Sequence, residues 1–203
     1  MFERWLDTKL QERESDHLLR KLTTSIGLID FTSNDYLGLA RSEELFTNIT
    51  ERIHHLGVHE NGAGGSRLLS GNSIYTEEVE KKLARIFNAQ SALIFNSGYS
   101  ANLAVLSSLP QRNDTIIYDE LAHACMKDGA RLSPAKRLRF RHNDLNDLES
   151  KLKKSTGRIY IAVESIYSMD GDVCPLKELI DLSEKYHTTV ILDEAHSTGV
   201  LGK

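Results

Sequence analysis

The sequence has 203 residues, 40% of them hydrophobic and 27% charged, and a formal net charge of −4. This is enough apolar material for one sizeable core, and the mildly acidic balance argues against nucleic acid or an anionic membrane as the principal partner. No apolar run is long enough to cross a bilayer, and residues 1–22 are charged throughout, without the apolar core of a secretory signal. Cys125 and Cys174 form no CxxC pair and read as reduced, buried thiols, for which the cytoplasm is the simplest compartment.

Residues 2–21 read as a charged amphipathic helix with Leu6, Leu10, Leu18 and Leu19 as its apolar positions. Residues 28–32 read as a short strand before the turn-rich Ser33-Asn34-Asp35-Tyr36, and residues 43–56 as a helix. The stretch from Asn61 to Ser66 is too glycine-rich for a regular element. Helical spacing then predicts a helix over 74–88, followed by a strand over 90–95, a helix over 98–108 and a strand over 115–118. Further helices are expected over 120–131, from a cap at Asn143 to about Lys153, and from Pro175 onward. Strands are expected over 137–140, 159–163 and 190–192, the last ending at Asp193. Short apolar strands alternating with helices indicate a mostly parallel sheet covered on both faces, with ligands beyond the carboxyl ends of its strands.

Four constellations fall at or just after such ends. Asn96-Ser97-Gly98-Tyr99-Ser100-Ala101-Asn102 directly follows the strand ending at Phe95, where a glycine between a strand and a helix admits close approach and a helix N-terminus suits a phosphate. A plain strand-to-helix turn reads the same way. Asp193 ends a buried strand, where a carboxylate needs a cationic partner, such as the protonated ring nitrogen of a ligand. His196, three residues on, can reach the same ligand. His123, in Asp119-Glu120-Leu121-Ala122-His123, can present a flat imidazole to an aromatic ring, or can simply cap a helix. Ser168, in the polar stretch Glu164–Asp172, can donate to a phenolate oxygen or belong to a turn closed by Asp170-Gly171. Asp193-Glu194-Ala195-His196 also occurs as a magnesium box in ATP-driven helicases, but the GxxxxGK[ST] loop that reading needs is missing from the sequence. The spacing of His123, Asp193 and His196 matches no common zinc pattern, so no metal is expected.

Taken in this order, the motifs resemble the α-oxoamine synthases, a branch of the pyridoxal phosphate (PLP) enzymes with the aspartate-aminotransferase fold. The stretches that carry the resemblance are Ser33 to Leu39, Gly64 to Gly71, Asn96 to Tyr99, Ser168 to Asp172 and Asp193 to Gly199. It spans the chain nearly from end to end. The fold it implies is α/β: a three-layer α/β/α fold type I PLP-dependent transferase with a mostly parallel sheet, incomplete at the C-terminus. Residues 1–40 would be an N-terminal arm of helix and short strand, and 41–203 part of the large PLP-binding domain.

By resemblance, Gly98 and Tyr99 match the backbone that meets the cofactor at its phosphate side, with Ser97 helping. His123 matches the imidazole stacked on the pyridine ring, and Asp193 the carboxylate paired with its nitrogen. Ser168 and His196 match the groups around the phenolate oxygen. Asn34 lies toward the amino-acid side, His123 also borders the substrate, and Arg20 aligns with an arginine that meets a substrate carboxylate. His123, Asp193 and His196 are the catalytic set implied.

The implied reaction is a decarboxylative Claisen condensation by an acyltransferase of biotin biosynthesis, in a homodimer. Its substrates would be L-alanine and a pimeloyl thioester on coenzyme A or a carrier protein. Members that act on other amino acids and acyl chains share the motifs and remain open. The family's Schiff-base lysine lies in a downstream Ser/Thr-x-x-Lys turn, which Lys203 does not match. The expectation is therefore part of an active enzyme, with a non-catalytic partner subunit as the alternative.

Overall fold

The computed structural model describes residues 2–22, 24, 27–57 and 62–202, with the backbone alone for residues 2 and 3. Asn61, at the head of the glycine-rich stretch, and Lys203 lie outside the described residues. The chain divides into two compact units, Met1–Tyr36 and Leu37–Lys203.

In the first unit, helix α1 runs over Phe2–Ser15 and stops short of the expected residue 21. His17 turns left-handed at φ 56°. The amides of Leu18 and Leu19 then fold back onto the Arg13 carbonyl at 2.8 and 3.0 Å, closing the helix end. The strand expected over 28–32 does not form. The Asp30 carboxylate accepts from the amides of Thr32 and Ser33, both at 3.0 Å, and this local turn replaces a ladder.

The second unit opens with a 3-10 turn at Leu39–Arg41, then α2 (Glu43–Leu56), capped by the Ser42 hydroxyl and ended by Gly57 at φ 60°. Helix α3 spans Ile74–Ile86 and α4 Gly98–Ser108, with serine caps at Ser73 and Ser97. The 90–95 segment is no strand: its Ile94 amide donates to the Glu80 carboxylate at 2.8 Å, and no ladder pairs with it among the described residues.

There follow β1 (Thr115–Asp119), α5 (Ala124–Leu132), β2 (Lys136–Phe140), α6 (Leu145–Leu152), β3 (Ile159–Glu164), α7 (Leu176–Lys185) and β4 (Thr189–Asp193). The four strands are parallel, in the order β2-β1-β3-β4. Helix α5 starts four residues later than expected because the Asp119 carboxylate and carbonyl hold the amides of Leu121 and Ala122 in a turn at 2.8 and 3.0 Å. The cap of α6 is Asp144 rather than Asn143, which sits left-handed at φ 52°. Pro175 is the cap residue of α7, one position before its first turn.

Alternation along the strands builds two cores. Ile117, Ile161 and Val163 pack with Leu148, Leu152 and Leu179 from α6 and α7. Ile116 and Ala162 pack with Leu106, Cys125 and Met126 from α4 and α5. Each fully buried Ile or Leu contributes about 1.5–3 kcal/mol, and the result is a three-layer α/β/α sandwich. Both cysteines are free and buried in these cores.

Candidate functional site

The strand order reverses direction between β1 and β3, the position where open parallel sheets form a crevice beyond their carboxyl ends. Three carboxylates end the three adjacent strands: Asp119, Glu164 and Asp193. Glu164 and Asp193 are register partners. Each lies two residues beyond a side chain of the α4/α5 core (Ala162, Ile191), so both face that layer. Asp119 follows Ile117 and faces the α6/α7 layer.

Asp193 is half-buried and held at both oxygens. Its Oδ2 accepts from the Asn102 amide on α4 at 2.5 Å, and its Oδ1 from the Ala195 backbone at 2.8 Å. Its carbonyl accepts from the Ser165 amide at 2.9 Å, and the Ser165 hydroxyl meets that of Ser197 at 2.7 Å, tying the turn after β4 to the end of β3. Asn102 was not among the expected site residues. It closes the Asn96–Asn102 stretch one helical turn past Gly98, and the sequence shows its polar side chain there without assigning it a role.

His123 is the N-cap of α5, its Nδ1 lying 3.2 Å from the Cys125 amide, and its ring is exposed. The His123 backbone amide donates at 2.5 Å to Glu164, a second residue that pattern reading missed. Burial is the main influence raising the Glu164 pKa, and the nearby Asp193 charge adds to it. The His123 amide and the charges of His123 and His196 pull the other way. One electrostatic cluster therefore contains Glu164, Asp193, His123 and His196.

At the N-terminus of α4, the Ser97 hydroxyl accepts from the Ser100 amide at 3.1 Å. The first-turn amides of Gly98 and Tyr99 have no helical acceptor. A Cβ placed on Gly98 would meet open space, so a ligand can approach this backbone. The Tyr99 hydroxyl donates to Asp128 on α5 at 2.7 Å. Ser168 is exposed on the turn after β3. Arg20 and Asn34 are exposed residues of the first unit. Among the described residues no cluster of His, Cys, Asp and Glu could hold a metal. Among the described residues no helix is long and apolar enough to cross a membrane. The broad concavities along α2 and α3 lie away from these strand ends.

An open helix start at Gly98, a fixed carboxylate at the end of β4 and an exposed imidazole at the start of α5 are groups that fit a phosphorylated aromatic ring with a protonatable nitrogen.

The aminotransferase class I and II family model matches residues 26–203. The 8-amino-7-oxononanoate synthase 2 of Bacillus subtilis is 41% identical over 212 residues, covering 98% of this chain and 54% of that protein. The 8-amino-7-oxononanoate synthase of Emericella nidulans is 42% identical over 212 residues, with 95% and 51% covered. Among solved structures, a serine palmitoyltransferase from S. paucimobilis with PLP and myriocin bound superposes with a TM-score of 0.82 at 28% identity, covering 97% of this chain and 53% of that one. The 8-amino-7-oxononanoate synthase of Francisella tularensis gives 0.70 at 34% identity, covering 87% and 48%. The chain thus spans about half the length of the relatives it matches.

Proposed function

The chain belongs to the aminotransferase class I and II family, and from that premise we propose that its strand ends form part of the PLP site of an 8-amino-7-oxononanoate synthase. The observation that carries the reading is Asp193, fixed at the end of β4 by Asn102 on the same helix whose N-terminus is open at Gly98. When bound, PLP supplies an electron sink for a carbanion formed beside the amino acid's nitrogen.

The residues of this chain supply part of the site that holds PLP. The Gly98 and Tyr99 amides, with Ser97, hold the phosphate. Asp193 keeps a proton on the ring nitrogen, and Asn102 keeps Asp193 aimed. His123 stacks on the ring and borders the substrate. Ser168 and His196 flank the phenolate oxygen. Arg20 and Asn34, both in the first unit, are proposed for the amino-acid substrate on the resemblance alone. Glu164, through the His123 amide, sets where the imidazole stands.

The substrates proposed are L-alanine and a pimeloyl thioester, on coenzyme A or a carrier protein, in a cytoplasmic homodimer. The identities of 41% and 42% to synthases of that name support this choice. The serine palmitoyltransferase superposition supports an alternative, a sister enzyme taking serine, and a glycine C-acetyltransferase is the other sister enzyme left open.

The test is a product analysis by mass spectrometry. The natural protein is offered alanine, glycine and serine in turn with pimeloyl-, acetyl- and palmitoyl-coenzyme A. The amino ketone from alanine and pimeloyl-coenzyme A should dominate. Dominance of another pair would move the assignment to that sister enzyme. No product from any pair would favour a non-catalytic subunit.

A further inference from the structure

Behind the sheet end, on the face opposite Asp193, a second polar cluster surrounds His142. The Asp119 carboxylate is fully buried there. It accepts from the Leu121 amide at 2.8 Å, the Asn143 amide at 3.0 Å and His142 Nδ1 at 2.9 Å. The other ring nitrogen, Nε2, meets Asp172. Asp172 also accepts from the Asn143 side chain at 3.0 Å, and its carbonyl accepts from the Tyr167 amide at 3.0 Å. The Gly171 amide returns to the Tyr167 carbonyl at 2.9 Å, which closes the turn that carries Ser168. The Tyr167 ring stands edge-on to the imidazole, 4.5 Å between centroids at 88°.

Two features go beyond ordinary loop packing. An imidazole whose two nitrogens both face carboxylates must donate from both, because ionised carboxylates only accept. The fully buried Asp119 carboxylate takes two backbone amides, and in this cluster His142 is the side chain placed to add a positive charge to them. The same Asp119 fixes the Leu121 segment that leads to His123. One doubly bonded ring therefore connects the approach to His123 with the turn bearing Ser168.

We infer that His142 is a positioning residue, an imidazolium clamp between Asp119 and Asp172 that holds the Ser168 turn in register with the segment leading to His123. The inference rests on the reading of the site given above. Burial opposes the charge on His142, but the hydrogen bonds and charges of Asp119 and Asp172 outweigh it and raise the pKa. The other groups facing the ring or its backbone are Tyr167, Glu120, which accepts from the His142 amide at 3.1 Å, and the Asn143 side-chain nitrogen 3.2 Å from Nε2, which also donates to Asp172 at 3.0 Å and to the Val173 carbonyl at 3.3 Å. Arg141 and Asp144 on the same loop are paired with each other at 2.7 Å.

The test is made on the natural protein with PLP added. The ratio of the cofactor's two absorption bands is recorded from acid to alkaline pH, beside the melting temperature. Ser168 is the proposed donor to the phenolate oxygen, so the ratio reports its position, whereas a purely structural role moves only the melting temperature. His142→Ala and Asp172→Asn should each shift the profile by about half a pH unit or more. Combined they should shift it no further, and Arg141→Ala should leave it in place. If His142→Ala does not fold, Asp172→Asn carries the test. An unchanged ratio in the folded variants, with only the melting temperature lowered, overturns the inference while the site stands. If the unsubstituted protein, once freed of unbound PLP, retains neither band, the reading of the site is overturned and the inference with it.

Discussion

At the scale of single residues, the proposed chemistry turns on Asp193. A carboxylate that keeps a ring nitrogen protonated acts mainly on the charge developed during reaction, and less on binding. Asp193→Ala in the natural protein should therefore reduce kcat by about a hundredfold or more, with a much smaller loss of PLP affinity. Steady-state kinetics beside a cofactor titration checks this, and near-normal turnover would remove Asp193 from its role. The neighbouring Glu164 behaves differently. Its carboxylate is 2% exposed and its pKa is raised, chiefly by burial. The places of Asp193, His123, His196 and Ser168 on the fold were legible because each ends or follows an apolar strand or opens a helix. Asn102 and Glu164 act by holding those residues, and contacts between distant segments leave no local spacing to read.

At the scale of elements, helices and central strands were legible because their apolar period is sustained. Helices α2 and α4 have the expected bounds. The segments misread as strands, 28–32 and 90–95, have strand-like composition, but a strand exists only through its neighbour. In both places a carboxylate takes backbone amides, Asp30 in one and Glu80 in the other.

Glu80 also receives both terminal nitrogens of Arg67, at 2.5 and 2.9 Å. The Arg67 hydrogen bonds, then the Ile94 amide, lower its pKa from 4.5 to about 2. The unfolded carboxylate titrates at the higher value, so this stabilisation is complete above pH 4.5 and is lost as the pH falls toward about 2. Glu149, held to about 2 by Lys185, Lys153 and Tyr186, adds in the same window. Glu80→Gln should flatten the fall of melting temperature across that range, and an unchanged acid profile would show that the Arg67 pair is immaterial.

The contact between α4 and α5 makes a second prediction at this scale. A Cβ on Gly129 would lie 2.9 Å from the Leu106 Cβ and 3.0 Å from the Asn102 carbonyl. Gly129→Ala should therefore cost about 1–3 kcal/mol and separate the helices that carry Asn102 and His123. Chemical denaturation measures it, and a neutral substitution would mean the helices yield without cost.

At the scale of the whole molecule, the sheet and α4–α7 bury a continuous core on both faces. Helix α2 has no buried residue, and its stripe of Leu45, Ile49, Ile53 and Leu56 is 36–49% exposed. An uncovered stripe of this kind associates with whatever apolar surface it meets. The 203-residue chain prepared by itself should bind a hydrophobic dye and self-associate. A dye-negative monomer in light scattering would contradict that.

The central claim is that PLP sits at these strand ends with its phosphate on the α4 N-terminus. Gly98 tests it with little structural cost, because a side chain there points into open space. The measurement is the induced circular dichroism of PLP titrated into the natural protein and its Gly98→Val variant. The account predicts a signal from the first, and its loss or a large drop in affinity in a variant with the same melting temperature. Equal binding by the two proteins would contradict it.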